Sequence, residues 1–101
     1  TAIAGCGPAS VYQMIEALTD AGVQHGLTAE DAKILSAQTL AGTAQMVLSS
    51  DKHPAQLRQE VTSPGGSTIA GVVALEKEGF RYAVIKAVAA ALKKTRKLGK
   101  K

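Results

Sequence analysis

A stretch of fifteen residues, from Ile34 to Leu48, places apolar or small side chains around most of the circumference of a helix. The segment Thr28–Asp31 before it resembles a capping box, so the pattern predicts a helix from there to about Ser49, roughly 30 Å long. A helix that is apolar nearly all round has to be enclosed, and a single chain of 101 residues has trouble enclosing it. The stretch therefore predicts an oligomer.

The rest of the chain also follows helical periodicity, and no segment alternates as a strand does. Residues 1–7 are predicted to form a non-helical entry segment, because Gly5-Cys6-Gly7-Pro8 breaks regular helix and proline suits a first helical position. The fold class predicted is all-α, one five-helix domain over residues 1–101. The other helices are expected from Pro8 to near Gly22 or Gly26, from Pro54 to about Val61, from Ser67 to Glu78 with Gly79 after it, and from Phe80 to near Leu98.

The segment between the third and fourth helices, from Val61 to Thr68, contains a proline, two glycines and four hydroxyl residues. Glycine lets a ligand approach the main chain closely, and the N–H groups that begin a helix point toward an anion. One interpretation is a loop that holds a carboxylate or phosphate. The other is an ordinary turn between helices, capped by Ser67 or Thr68.

Few side chains offer other chemistry. The single cysteine, Cys6, excludes an internal disulfide, fits a reducing compartment and is interpreted as a small buried residue. The histidines His25 and His53 have no further soft ligands near them in sequence, so no metal site is predicted. Asp51 and His53 are candidates for acid–base work or for capping the helix that begins at Pro54. We expect no signal peptide, and no apolar run reaches membrane-spanning length.

The net charge of +4 is concentrated at the C-terminal end. A nucleic-acid contact and a solvated helix end both fit such a cluster. Aromatic residues are not interleaved with it, so we favour the solvated end and predict no nucleic-acid partner. The cluster consists of Lys93, Lys94, Arg96, Lys97, Lys100 and Lys101.

Several separated motifs together resemble pyrroline-5-carboxylate reductase. The most specific is the run from Thr62 to Gly71, and the others occur in the order typical of that family. They are Gly5-x-Gly7-Pro8-Ala9, Glu16-Ala17-Leu18-x-Asp20-Ala21-Gly22-Val23, Ala37-Gln38-Thr39, His53-Pro54-x-Gln56-Leu57 and Leu75-Glu76-x-x-Gly79-Phe80-Arg81.

The resemblance implies a two-domain, cytoplasmic enzyme that reduces 1-pyrroline-5-carboxylate to L-proline, the last step of proline biosynthesis. An N-terminal Rossmann domain binds NADH or NADPH, and a C-terminal helical domain forms an interleaved homodimer, often five of them in a decamer. This chain resembles only the C-terminal domain, so the fragment alone is expected to be inactive. The resemblance leaves open the choice between dimer and decamer and the choice of cofactor.

The resemblance also implies roles for individual residues. Ser63 would donate its hydroxyl to the substrate carboxylate, and the main chain of Gly66, Ser67 and Thr68 would donate N–H bonds from the loop that contains Gly65. The Thr68 hydroxyl would lie near the ring nitrogen as a proton donor. Thr1 would lie near the nicotinamide and Asp51 near the substrate amine.

The chain departs from the family pattern in three ways. Cys6 stands where serine is common, and Ser67 stands where alanine or threonine is common. The Rossmann domain is missing from this sequence. An alternative function is therefore a non-enzymatic helical oligomerisation module of the same fold.

Overall fold

The computed structural model of the chain describes residues 2–99, and side chains from residue 3 to residue 96. The described residues form five helices and contain no strand, which confirms the predicted all-α class. The helices are α1 (Ala2–Gln24), α2 (Ala29–Ser49), α3 (Pro54–Glu60), α4 (Ser67–Lys77) and α5 (Phe80–Gly99).

The start of α1 differs from the prediction. The helix begins at Ala2 and runs through Pro8, so the expected non-helical segment up to Gly7 is wrong. Glycine lowers helix propensity by about 1 kcal/mol without forbidding helix, and one proline removes one N–H donor from a helix of 23 residues. These local signals were outweighed by the long helix that continues after them. Cys6 lies on the surface of α1, so its interpretation as a buried residue is also wrong.

The end of α1 is a Schellman motif. The N–H of Leu27 donates to the Gly22 carbonyl (3.0 Å), and the N–H of Gly26 donates to the Val23 carbonyl (3.1 Å). Gly26 has a φ of +106°, a left-handed conformation that glycine adopts at no steric cost. The predicted end near Gly22 or Gly26 is confirmed.

Helix α2 begins as the sequence predicts. Thr28 is its N-cap, and its hydroxyl accepts a hydrogen bond from the N–H of Asp31 at 3.1 Å. Helices α1 and α2 approach closely, because a Cβ placed on Gly22 would lie 2.9 Å from the Cβ of Ala32. Ala32 is fully buried at this crossing.

The chain divides into two compact units, one formed by Ala9–Leu57 and the other by the remaining described residues on either side. In the second unit α4 packs against α5. Gly79, with a φ of +77°, connects these two helices as predicted. The Nε of Arg81 donates to the Glu76 carboxylate at 2.7 Å across the same connection.

The chain does not enclose its own apolar side chains. Among the described side chains only Ala32 and Ser36 are buried, whereas Leu48 at the end of α2 is 81% exposed. The accessible surface is 8208 Å², against about 5,400 Å² for a folded monomer of 10.4 kDa. The apolar surface that the sequence assigned to α2 is therefore left open within one chain. Exposed large apolar residues include Ile34, Leu35, Met46 and Val47 on α2 and Tyr82, Val84 and Ile85 on α5.

No helix in the described part of the chain combines the length and the apolar character that crossing a membrane requires.

Candidate functional site

The loop before α4 is a tight turn over Ser63–Gly66. The N–H of Gly66 donates to the Ser63 carbonyl at 3.1 Å, which closes a four-residue turn. Pro64 occupies its second position and Gly65, with a φ of +69°, its third. This combination is typical of a type II turn, so Pro64 and Gly65 are both explained by the backbone geometry.

Helix α4 starts without a side-chain cap. Its N-cap is Gly66, and no side chain of the described residues accepts a hydrogen bond there. Ser67 and Thr68 are the first two residues inside the helix, so the alternative in which one of them caps it is wrong. The N–H groups at the start of α4 therefore keep their donor capacity, at the positive end of the helix dipole.

Three hydroxyl groups surround this uncapped helix start. Ser63, Ser67 and Thr68 are exposed, and within the described residues their side chains have no hydrogen-bond partner. The neighbouring Thr62 hydroxyl, in contrast, donates to the Gln59 carbonyl at 2.8 Å. The loop thus presents hydroxyl and N–H donors together, and it can bind an anion without a cationic side chain.

Gly66 lies in close contact with Ser63 inside the turn. A Cβ at this position would lie 2.5 Å from the Ser63 Oγ and 3.4 Å from the Ser63 carbonyl oxygen. The N–H of Gly66 is already used by the turn, so the donors that remain for a ligand are those of the residues after it. The donor role of Gly66 toward a substrate carboxylate stays a prediction.

Of the other residues singled out by sequence, Asp51 lies exposed in the connection between α2 and α3. It belongs to the unit Ala9–Leu57, whereas the loop belongs to the other unit. His53 caps α3, since its Nδ1 accepts from the Ala55 N–H at 3.1 Å. That bond places the proton of a neutral His53 on Nε2, and it confirms the capping interpretation. Thr1 lies outside the described residues.

The sequence motifs gave no reason to single out a groove between α1 and α2. It has a volume of about 340 Å³ and an open mouth. Two carboxylates from α1 and one lysine from α2 line it, together with apolar and hydroxyl side chains of α1. The lining residues are Tyr12, Ile15, Glu16, Thr19, Asp20 and Lys33. Both charged residues of α1 line this groove, and both are acidic; that is the one sequence signal that indicates it.

Five helices with two buried side chains and a large exposed apolar surface are typical of a helical domain that completes its core by self-association. Comparison with known families identifies which domain this is. Residues 1–98 match the family model described as pyrroline-5-carboxylate reductase dimerisation, and the chain belongs to this family.

The similarity extends to individual proteins. The chain is 54% identical over 101 residues to a pyrroline-5-carboxylate reductase of Synechocystis, covering 100% of this chain and 38% of that protein. It is 53% identical over 98 residues to that of Pisum sativum, covering 97% of this chain and 36% of the relative. The chain thus spans less than two fifths of the length of these relatives.

Solved structures have the same fold. Plasmodium falciparum pyrroline carboxylate reductase, solved with NADP bound, superposes with a TM-score of 0.94 at 49% identity and covers 98% of this chain and 38% of its own. The reductase of Coxiella burnetii superposes with a TM-score of 0.92 at 43% identity, covering 96% of this chain and 36% of its own.

Proposed function

We propose that the complete protein carrying this chain is a pyrroline-5-carboxylate reductase. In the overall reaction 1-pyrroline-5-carboxylate, NAD(P)H and a proton give L-proline and NAD(P)⁺. The observation that carries the proposal is the uncapped helix start at Gly66 with its unpaired hydroxyls, in a chain of this family.

The loop suits the substrate carboxylate. The N–H groups of Ser67 and Thr68 begin α4, and the Ser63 hydroxyl is unpaired within the described residues. A carboxylate bound at the start of α4 would be stabilised both by hydrogen bonds from the backbone N–H groups and by the helix dipole. Gly65 and Gly66 hold the turn that keeps these donors exposed.

The ring nitrogen of the imine needs a proton or a hydrogen bond as the adjacent carbon is reduced. The Thr68 hydroxyl is the group in this chain that we assign to it, two residues after the turn and exposed. Asp51 is assigned a position near the substrate amine. Both assignments come from the family resemblance, and the exposure of both side chains is compatible with them.

The nicotinamide cofactor supplies the hydride, and another domain would hold it. A Rossmann dinucleotide site needs a strand followed by a Gly-rich turn and a helix, and the described residues contain no strand. The part of the chain described here therefore does not fit the cofactor by itself, and we assign Thr1 only a position near the nicotinamide. The choice between NADH and NADPH would lie in the other domain.

The same domain would form an interleaved homodimer. Each chain exposes about 2,800 Å² more than a folded monomer of its mass, so two copies would bury roughly 5,600 Å² by returning to that value. That is the size of an obligate interface. The choice between this dimer and a decamer of five dimers stays open, and a cytoplasmic location completes the proposal.

Steady-state kinetics of the complete protein test the assignment of the loop. Ser63→Ala is expected to weaken substrate binding by about 1.5–3 kcal/mol, the net contribution of one hydrogen bond to a charged group. Thr68→Val keeps the shape and removes the hydroxyl, so it should lower kcat more than it raises KM. Thr95→Val on α5, also exposed, is the matched control and should change neither.

An unchanged kcat in Thr68→Val would remove its role toward the nitrogen. The competing function, a non-enzymatic oligomerisation module, is tested separately. If the complete protein binds no NAD(P)H in calorimetry and reduces no imine, the enzymatic proposal is wrong and the module remains.

A further inference from the structure

Charge is divided unusually between the first and the last helix. The only charged residues of α1 are Glu16 and Asp20, both acidic, over 23 residues. Helix α5 carries six basic residues and no acidic one over 20 residues. Neither carboxylate of α1 has an ion pair within the described residues.

The two carboxylates line the groove between α1 and α2 described above. They are one helical turn apart, so they lie on one face and repel each other. Lys33 lines the same groove, but one ammonium does not neutralise two carboxylates. Beside them Tyr12, 66% exposed, and Ile15 provide an apolar wall. The groove therefore combines apolar surface with uncompensated negative charge.

The C-terminal half of α5 has the complementary pattern. Leu92 and Arg96 are four residues apart and so share a face, and Lys93 lies next to Leu92. All three are exposed in the single chain. An amphipathic helix that enters such a groove places its apolar residues on the wall and its cations beside the carboxylates.

We propose that the groove of one copy receives the basic half of α5 from a second copy, with Arg96 and Lys93 neutralising Asp20 and Glu16. This inference rests on the proposed homodimer and specifies one of its contacts. Guanidinium is the better partner for a carboxylate in a partly buried site, because it can form two parallel hydrogen bonds. The contact would also give dimer formation a dependence on ionic strength.

A charge-reversal cycle tests the pairing, with the dissociation constant of the dimer obtained from urea unfolding followed by circular dichroism at several protein concentrations, since dissociation and unfolding are coupled. Asp20→Lys and Arg96→Glu should each raise the dissociation constant at least about tenfold at low salt. The double variant restores opposite charges and should return it to within about threefold of the parent. Such non-additivity is the signature of direct contact.

Two controls carry the same changes of charge. The first control is Lys94→Glu, because Lys94 lies on the opposite side of α5 from Leu92 and two positions before Arg96. The second is Glu78→Lys, which reverses the charge of an exposed carboxylate at the end of α4. Both should leave the dissociation constant within about threefold of the parent, because they change only the long-range charge.

Three outcomes would overturn the pairing. One is an additive double variant, another is an equal response to Lys94→Glu and Arg96→Glu, and the third is a dimer constant insensitive to salt. With the parent still dimeric, these results assign the groove to a different occupant and leave the homodimer intact. A folded, monomeric parent at micromolar concentration would refute the homodimer itself.

Discussion

The substitution Gly66→Ala isolates the steric requirement of the turn. Gly66 has a φ of −81°, which any residue adopts, so backbone strain does not enter. The new Cβ would stand 2.5 Å from the Ser63 Oγ, and something has to move. Twisting the Ser63 side chain about 30° off its staggered rotamer to make room costs about 0.5–1.5 kcal/mol. Alanine is also a poorer N-cap than glycine, by about 0.5–1 kcal/mol.

The unfolded state partly offsets these costs. Alanine has less backbone freedom than glycine, which stabilises a compatible variant by about 0.4–1 kcal/mol. The net expectation for Gly66→Ala is a loss of about 0.5–1.5 kcal/mol in the free energy of unfolding. For a domain of this size that lowers Tm by roughly 2–12 °C at a fixed protein concentration.

A second substitution separates the two contributions. Ser63→Ala alone should leave stability nearly unchanged, because the described residues offer its hydroxyl no partner. In the double variant the Oγ that clashes is gone, so about 0.5–1.5 kcal/mol should be recovered. Gly71→Ala inside α4 is the control: a Cβ there meets nothing within 4 Å, and the change should stabilise the helix by about 0.5–1 kcal/mol.

Urea unfolding of the four variants, at one protein concentration, measures these differences. The reasoning is refuted if the double variant loses as much as the two single variants added together. It is equally refuted if Gly66→Ala is as stabilising as Gly71→Ala, since the close contact at Ser63 would then have no energetic consequence.

Two further predictions concern assembly and the start of α2. Leu40→Glu should dissociate the oligomer and unfold the chain together in light scattering and circular dichroism, because fold and interface share one core; a folded monomer of this variant would contradict the shared core. Thr28→Ala should lower the free energy of unfolding by about 0.5–2 kcal/mol through loss of the bond from the Asp31 N–H, and Thr28→Ser should restore it; an unchanged stability would show that the cap contributes nothing.

Local signals predicted those boundaries that depend on a few neighbouring residues. The Thr28 cap and the left-handed glycines at Gly26 and Gly79 each follow from the chemistry of one or two side chains. Such features are set within one turn of helix, so sequence patterns are sufficient to locate them. The end of α2 at Ser49 was predicted in the same way.

The predictions that were wrong concern positions where the local preference of a few residues competes with the longer helix or the turn around them. Gly5 and Pro8 favour a break, yet α1 continues through both. At Gly66 the sequence offered two hydroxyl residues as caps, but the turn from Ser63 places the N-cap one residue earlier. The position of Asp51 near a substrate stays a prediction, because it would depend on contacts between distant segments, which periodicity does not encode.

Two kinds of acceptor could receive hydrogen bonds from the N–H groups at the start of α4: a side chain at the N-cap, or a bound ligand. A serine or aspartate at position 66 would place its own oxygen where the proposed substrate carboxylate would bind, and it would compete for the same donors. Glycine at an N-cap costs only a few tenths of a kcal/mol relative to serine, so the proposed site would require little loss of stability. Gly66 fits against Ser63 inside the turn, and under the proposed function it would also leave the N–H groups at the start of α4 available to the substrate carboxylate.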